Sequence, residues 1–173
     1  MSNYQTNQQL KNCLQGMYDG NPGLNQPKFK MNDPKEVLLL SNDPLERLLV
    51  QHDSQHFIFG SGTDIEGELA LQITVFFLSN KRWSEILTEY YNVDGGVGPY
   101  AAEGVSAYQR LGFLKGMYAI LCLIAHFFKT ISKRLLFTIT GQELFPFSQT
   151  HKMLDLTLDD IRFKYNIKPY NQN

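Results

Sequence analysis

The stretch from His52 to Glu68 constrains the chain more than any other part of its sequence. His52 and His56 are four residues apart and lie on one face of a helix, with Asp53 about 60° round that helix from His56. The turn-forming run Gly60–Thr63 follows, so a second helix can fold back and bring Glu68 towards the histidines. Two imidazoles and two carboxylates are ligands that bind a divalent transition metal.

The residues around this stretch predict that its ionisable side chains point into the protein. Leu45, Leu48 and Leu49 precede the histidines at helical spacing, so the histidines continue an apolar stripe. Ionisable groups at core positions cost free energy unless they are paired or coordinated, which favours a metal site. The alternative is a pair of buried, hydrogen-bonded histidines beside a capping glutamate. On the second helix the inward stripe that contains Glu68 is predicted to include Ile65, Leu69, Gln72 and Phe76.

Helix starts are visible on both sides of the histidines. Asp33–Pro34 and Asp43–Pro44 each place a capping Asp before a Pro at the first helical position, and the second pair begins the helix of the histidines. Thr63 and Glu66 have the spacing of a capping box. They predict the start of the helix that carries Glu68.

The pattern His-Asp-x-x-His, eleven residues and Glu resembles the motif of the family of the fourth Coq protein of coenzyme Q (ubiquinone) biosynthesis. Gly60, Thr63–Asp64 and Gly67–Glu68 fall where that family has its Gly, its helix start and its Gly-Glu pair. The resemblance is close over about residues 42–72 and returns at the C-terminal helix. Between residues 80 and 142 the chain is longer than the family pattern.

The resemblance implies an all-helical protein with a divalent metal, commonly zinc, at His52, Asp53, His56 and Glu68. It implies oxidative decarboxylation at the ring carbon that carries the carboxylate of a prenylated 4-hydroxybenzoate-type precursor. Asp53 lies farthest round the arc of ligands, so it can move to open a coordination position and is the candidate catalytic residue.

The resemblance also leaves a non-catalytic function open. The family is regarded as an organiser of the other ubiquinone-biosynthesis proteins, and a scaffold of this kind would use its metal to pin two helices together. It would hold a polyprenyl tail in a hydrophobic channel, with candidate lining residues Phe76, Phe77, Leu114 and Ile124.

A phosphohydrolase of the HD type is a third possibility, because His52 and Asp53 are adjacent. That site needs another histidine upstream on a separate helix, and no histidine precedes His52. The sequence therefore argues strongly against this class.

The length of 173 residues predicts one domain. The motifs all lie on predicted helices or the turns between them, and no segment alternates with period two, so we expect an all-α helical bundle over residues 1–173. Residues 1–31 are expected to form a polar helix and a loop, and residues 93–100 a flexible Gly-rich loop. A Gly-rich run can cradle a phosphate where it links a strand to a helix, but no strand precedes this one.

Charge and cysteine content narrow the partners and the compartment. A net charge of −1 argues against nucleic-acid binding. Cys13 and Cys122 have no closely spaced partner and are expected to be reduced thiols. The first thirty residues contain no apolar core segment and no arginine, so we expect a cytoplasmic protein, peripherally associated with the inner membrane. A second copy of the chain is a further candidate partner.

Leu111–Phe128 is the most apolar segment, and it predicts a buried helix, with a membrane-inserted helix as the alternative. His126 is expected to be a hydrogen-bonded core or rim histidine. Positive charges beyond it would complement the helix dipole or meet anionic groups: Lys129, Lys133 and Arg134. The last helix is expected to bury one face, formed by Leu154, Leu158, Ile161 and Tyr165.

Overall fold

A computed structural model describes residues 7–20, 33–42, 44–80 and 113–170, together with residues 82, 84, 85 and 88. Within these ranges there is no strand, only two isolated bridge pairs, Gln9–Thr157 and Ser79–Phe145. The all-helical class predicted from the sequence is thus confirmed for them. The helices are α1 (Leu10–Asp19), α2 (Pro34–Leu40), α3 (Pro44–Phe59), α4 (Ile65–Leu78), α5 (Phe113–Thr140), a 3₁₀ helix (Phe147–Lys152) and α6 (Leu158–Lys164).

The chain divides into two compact units, Met1–Ser61 with Phe147–Asn173, and Gly62–Pro146. The first unit contains α1, α2, α3, the 3₁₀ helix and α6, and the second contains α4 and α5. The single domain over residues 1–173 stays a prediction. Residues 1–6 and 21–31 of the predicted N-terminal helix and loop, and the Gly-rich loop of residues 93–100, lie outside the described residues.

Helix α3 is the central helix of the first unit, since α1, α2, α6 and the 3₁₀ helix all pack against it. The core around it is formed by apolar side chains from several of these helices, including Leu10, Leu14, Val50, Ile58, Leu154, Leu158 and Ile161. The face predicted for the last helix is therefore confirmed, and Tyr165 is buried with it. Leu154 lies in the turn before α6 rather than in the helix.

Two of the predicted helix starts can be compared with the structure. Asp33 caps α2 by accepting a hydrogen bond from the Lys35 amide, with Pro34 at the first helical position, as predicted. The predicted cap at Thr63 is wrong, because Asp64 caps α4 and accepts from the Gly67 amide at 2.8 Å. Asp is the stronger capping residue of the two, and the helix starts one residue later as a result.

Arg162 of α6 closes the C-terminal end of α3. Its Nη2 donates to the Phe57 carbonyl at 2.6 Å and its Nε donates to the Ile58 carbonyl at 2.9 Å. The last four carbonyls of a helix have no partner within the helix, so a guanidinium here supplies two of the missing donors. Burial lowers the pKa of Arg162 from its ordinary value of 12.5.

The chain leaves α3 through Gly60, whose φ of +65° lies in the left-handed region. A Cβ at this position would lie 2.6 Å from the Cβ of Pro169, so the close approach of the C-terminal segment also requires glycine. The Tyr170 amide then donates to the Phe59 carbonyl at 2.8 Å. The turn composition predicted at Gly60–Thr63 is thus part of how α3 ends.

In the second unit, α4 and α5 pack against each other. The buried residues of α4 are Gly67, Ala70, Leu71, Thr74, Val75 and Leu78. The inward stripe predicted for α4 is therefore wrong in phase, because Leu69 is 43% exposed and Gln72 and Phe76 are half-buried. The side chain of Ile65 lies outside the described residues. The phase is set by packing on α5, a partner that the local pattern of α4 does not contain.

His126 of α5 joins the two helices of this unit. Its Nε2 lies 2.8 Å from the Thr74 hydroxyl and 3.2 Å from the Ala70 carbonyl, both on α4. The predicted hydrogen-bonded rim histidine is confirmed. Burial lowers the pKa of His126 from its ordinary value of 6.5.

Helix α5 is longer and more exposed than the sequence predicted. It runs to Thr140, and its exposed apolar side chains include Tyr118 at 68%, Phe128 at 63% and Ile139 at 82%. The prediction of a buried helix ending near Phe128 is therefore wrong, because only one face of α5 packs on α4. No helix within the described residues combines the length and the hydropathy needed to cross a membrane.

The longer helix also changes the position of its basic residues. Lys129, Lys133 and Arg134 lie inside α5 and not at its C-terminal end, so the predicted interaction with the helix dipole is wrong. Arg134 instead reaches the Phe77 carbonyl at 3.4 Å, and the Lys133 ammonium lies 5.2 Å from the centre of the Phe137 ring.

Replacing Arg162 with Ala is expected to lower the free energy of unfolding by about 3 kcal/mol, since a hydrogen bond from a charged donor contributes about 1.5–3 kcal/mol. Arg162→Lys should lose less, because one ammonium keeps the charge without the two-pronged geometry. Urea unfolding measures both, with exposed Lys164→Ala as the control. Equal stability of Arg162→Ala and the wild type would contradict this role of Arg162.

The lowered pKa of His126 predicts a pH dependence of stability. The unfolded chain takes up a proton at this histidine at a higher pH than the folded chain does, so the stabilising effect is present above about pH 6.5 and is lost as the pH falls below it. The urea midpoint of the wild type should therefore fall more between pH 7.5 and 5.5 than that of His126→Asn. His151→Asn is the matched control, and parallel pH profiles for wild type and His126→Asn would contradict the prediction.

Candidate metal centre

Helix α3 places His52 and His56 one turn apart, as the spacing predicted. The two ring centroids are 4.7 Å apart and the ring planes are inclined at 79°. His56 is 3% exposed, whereas His52 is half-buried. The two imidazoles are therefore held side by side on a helix whose other residues form the core of the first unit.

Glu68 is the third member of the candidate group. His52, His56 and Glu68 together could hold a metal ion. Glu68 lies at the start of α4, where the Asp64 cap fixes the first turn. His52 and His56 belong to the first unit and Glu68 to the second, and the metal-binding role of each stays a prediction.

Ser61 orients the imidazole of His56. Its hydroxyl oxygen lies 3.1 Å from Nδ1 of His56, and both residues are buried. The Ser61 amide also donates to the His56 carbonyl at 3.2 Å, which holds Ser61 in place. With Nδ1 facing Ser61, Nε2 is the nitrogen through which His56 would bind a metal. An oxygen partner behind a ligand histidine is the usual arrangement in metal sites.

Asp53 is not one of the three grouped residues. Its Oδ2 accepts a hydrogen bond from the Tyr18 hydroxyl at 3.0 Å, and its Oδ1 lies 3.6 Å from Nδ1 of His52. Burial and the negative charge of Asp53 raise the pKa of Tyr18 well above its usual range. The metal-binding and catalytic roles of Asp53 stay predictions.

Sequence reasoning missed Tyr18. The signal available was its position four residues after Leu14, which continues the spacing from Leu10 and predicts a place on the buried face of α1. All three side chains are buried. The pattern does not show which residue the buried hydroxyl contacts, because that residue, Asp53, lies 35 positions away along the chain.

The three grouped residues fit a divalent ion by their chemistry. Two imidazoles and one carboxylate suit zinc, and the same set with open positions also suits ferrous iron. Sites with three protein ligands keep a coordination position for water or substrate, whereas a closed set of four is structural.

The residues predicted to line a lipid channel lie in the second unit. Phe76 and Phe77 are half-buried with ring centroids 5.6 Å apart, and the Phe77 ring lies 5.3 Å from that of Phe127 on α5. Ile124 is 47% exposed. The side chain of Leu114 lies outside the described residues. These contacts form an aromatic cluster, and the channel stays a prediction.

The two cysteines are free thiols, as predicted. Cys13 is buried in α1 and Cys122 is half-buried in α5. Burial raises the pKa of the Cys13 thiol from its ordinary value of 9.0, so this thiol is protonated at neutral pH.

The chain was compared with protein families, curated proteins and solved structures. No family model, no curated protein and no solved structure matches it. The resemblance to the ubiquinone-biosynthesis family therefore stays an expectation that rests on the residues of the stretch from His52 to Glu68.

Metal analysis is expected to find about one divalent ion per chain in protein purified without chelator. His56→Ala should lose the ion, because the i, i+4 histidine pair is the geometric anchor, whereas Glu68→Gln should weaken binding less since the amide oxygen remains an acceptor. His151→Ala is the matched control and should keep the ion. If elemental analysis finds no metal in the wild type, these residues form a polar, hydrogen-bonded core and not a metal site.

Proposed function

We propose that this protein is a metal-dependent enzyme of ubiquinone (coenzyme Q) biosynthesis that acts on a prenylated aromatic precursor. The reaction is oxidative decarboxylation, in which the ring carboxylate leaves as carbon dioxide and a hydroxyl takes its place. The observation that carries the proposal is the group formed by His52, His56 and Glu68. The order and spacing of these residues also resemble those of the family motif.

The chain's own residues support such a role by orienting the imidazole of His56. Nδ1 of His56 faces Ser61, which directs the other nitrogen of that ring away from the serine. A divalent ion bound here would act as a Lewis acid that polarises the phenol or the carboxylate of the substrate. The oxidative step would also need dioxygen and a two-electron reductant, because one oxygen atom becomes the ring hydroxyl and the other is reduced to water. Zinc has no redox chemistry, so activation of dioxygen would require a redox-active metal in the group or elsewhere.

The second candidate function is a scaffold that binds polyprenyl lipid and organises other ubiquinone-biosynthesis proteins at the membrane, with the metal structural. The exposed face of α5 favours this candidate. Apolar side chains recur there at intervals of three, four or seven residues, and the described members are Met117, Leu121, Ile124, Phe128, Leu135 and Ile139.

The charge of α5 supports association with a lipid surface. The helix contains no Asp or Glu, and its four cations are Lys115, Lys129, Lys133 and Arg134. A helix that combines an exposed apolar face with only positive charge binds anionic membrane surfaces peripherally. The same charge opposes pairing of two copies through this face, since like charges would be brought together. We propose peripheral attachment to the cytoplasmic side of the inner membrane, which these features of α5 support.

A substrate-turnover assay distinguishes the enzymatic function from the scaffold function. Metal-loaded wild type and His151→Ala are incubated with a carboxylated prenylphenol, labelled dioxygen and a two-electron reductant, beside metal-stripped wild type and His56→Ala. The enzyme predicts a product that has lost the carboxylate and gained one labelled oxygen, formed only by the first two samples. Mass spectrometry detects the product, and melting temperatures give the folded fraction.

Metal-loaded protein that forms no product would contradict the enzyme. If that protein also retains co-purified prenyl lipid, and His56→Ala retains it in proportion to folded protein, the scaffold is the function. If metal is bound but there is neither product nor lipid, both candidates fail.

A further inference from the structure

We propose that Tyr18 and Asp53 form a positioning pair for His52, in which the Tyr18 hydroxyl holds the Asp53 carboxylate and the carboxylate orients the imidazole. Asp53 is then neither the fourth metal ligand nor a group that reacts with substrate. The inference rests on the proposed metal centre and assigns a role to a residue that the sequence placed inside it.

The first link of the pair is set by core packing. Tyr18 is 1% exposed on α1, and its hydroxyl donates to Oδ2 of Asp53 at 3.0 Å. A buried tyrosine hydroxyl needs a hydrogen-bond partner, and a carboxylate is a strong one. Because α1 packs directly on α3 in the same unit, the position of the Asp53 carboxylate is fixed by the helix pair and not by Asp53 alone.

The second link joins the carboxylate to the metal-binding histidine. Oδ1 of Asp53 lies 3.6 Å from Nδ1 of His52. This distance is a few tenths of an ångström beyond a hydrogen bond, so a small rotation of the imidazole closes it. A carboxylate that accepts from Nδ1–H fixes the tautomer, leaves Nε2 as the metal-binding nitrogen and makes that nitrogen more basic.

The two histidines then have equivalent support. Nδ1 of His52 faces Asp53 at 3.6 Å, and Nδ1 of His56 faces Ser61 at 3.1 Å. One carboxylate oxygen of Asp53 accepts from Tyr18, and the other lies 3.6 Å from Nδ1 of His52. This arrangement explains why Asp53 is absent from the three grouped donors although its neighbour His52 belongs to them.

Metal affinity tests the pair, with Co²⁺ as the probe because its visible spectrum reports the coordination geometry. The variants are Tyr18→Phe, Asp53→Asn and the double variant, and Tyr165→Phe is the control for loss of a buried tyrosine hydroxyl in the same unit. Competition with a chelator gives the dissociation constant. Melting temperatures show whether each variant is folded.

The pair predicts that every variant binds one Co²⁺ with an unchanged spectrum. Loss of an orienting partner costs about 10–100-fold in affinity, so we expect about 10-fold for Tyr18→Phe and up to about 100-fold for Asp53→Asn. The double variant should be no weaker than Asp53→Asn, because Tyr18 acts through Asp53. Tyr165→Phe should bind as the wild type does.

Three outcomes would overturn the proposal. Wild-type affinity in folded Tyr18→Phe would remove Tyr18 from the site. A changed Co²⁺ spectrum in Asp53→Asn, with the spectrum of Tyr18→Phe unchanged, would make Asp53 a direct ligand. Absence of Co²⁺ binding in wild type and Tyr165→Phe would remove the metal centre, and the proposed function with it. Normal metal binding without substrate turnover would contradict only the proposed enzymatic function. The positioning pair would still be tested by the Co²⁺ affinities of the variants.

Discussion

The hydrogen bonds from Arg162 to the end of α3 are the interaction on which the first unit depends. Helix α3 carries ionisable groups in its middle and ends inside the protein. Its polar side chains and its last carbonyl groups therefore both need hydrogen-bond partners. Arg162 supplies donors to Phe57 and Ile58, and the Tyr170 amide supplies one to Phe59. The C-terminal segment of the chain thereby fixes the helix that presents His52 and His56.

Oxygen atoms on α3 or just beyond its end face both candidate histidine ligands. Ser61, just beyond its end, faces His56, and Asp53, within it, faces His52. Tyr18 on α1 donates a hydrogen bond to the Asp53 carboxylate and holds it in place. The metal chemistry that we propose thus depends on oxygen atoms behind the imidazoles as much as on the three donors themselves.

The features that were predictable are those encoded locally. The i, i+4 histidine pair, the Asp33–Pro34 helix start and the turn at Gly60 follow from spacing and backbone preference within a few residues. The features that were missed depend on partners far along the chain. Arg162 is more than a hundred positions from the carbonyls it caps, and Tyr18 is 35 positions from Asp53. The buried face of α4 and the exposed face of α5 were predicted wrongly for the same reason, since each helix presents more than one apolar side and only packing decides which is buried.

The central claim is that two imidazoles and a carboxylate of the stretch from His52 to Glu68 bind a divalent ion. X-ray absorption of the zinc-loaded protein tests it most directly, because imidazole gives a distinctive multiple-scattering pattern. We expect two imidazole nitrogens at about 2.0–2.1 Å from the zinc ion, with oxygen ligands completing the coordination shell. His151→Ala should leave that spectrum unchanged. A spectrum without imidazole, or with sulfur at about 2.3 Å, would contradict the account.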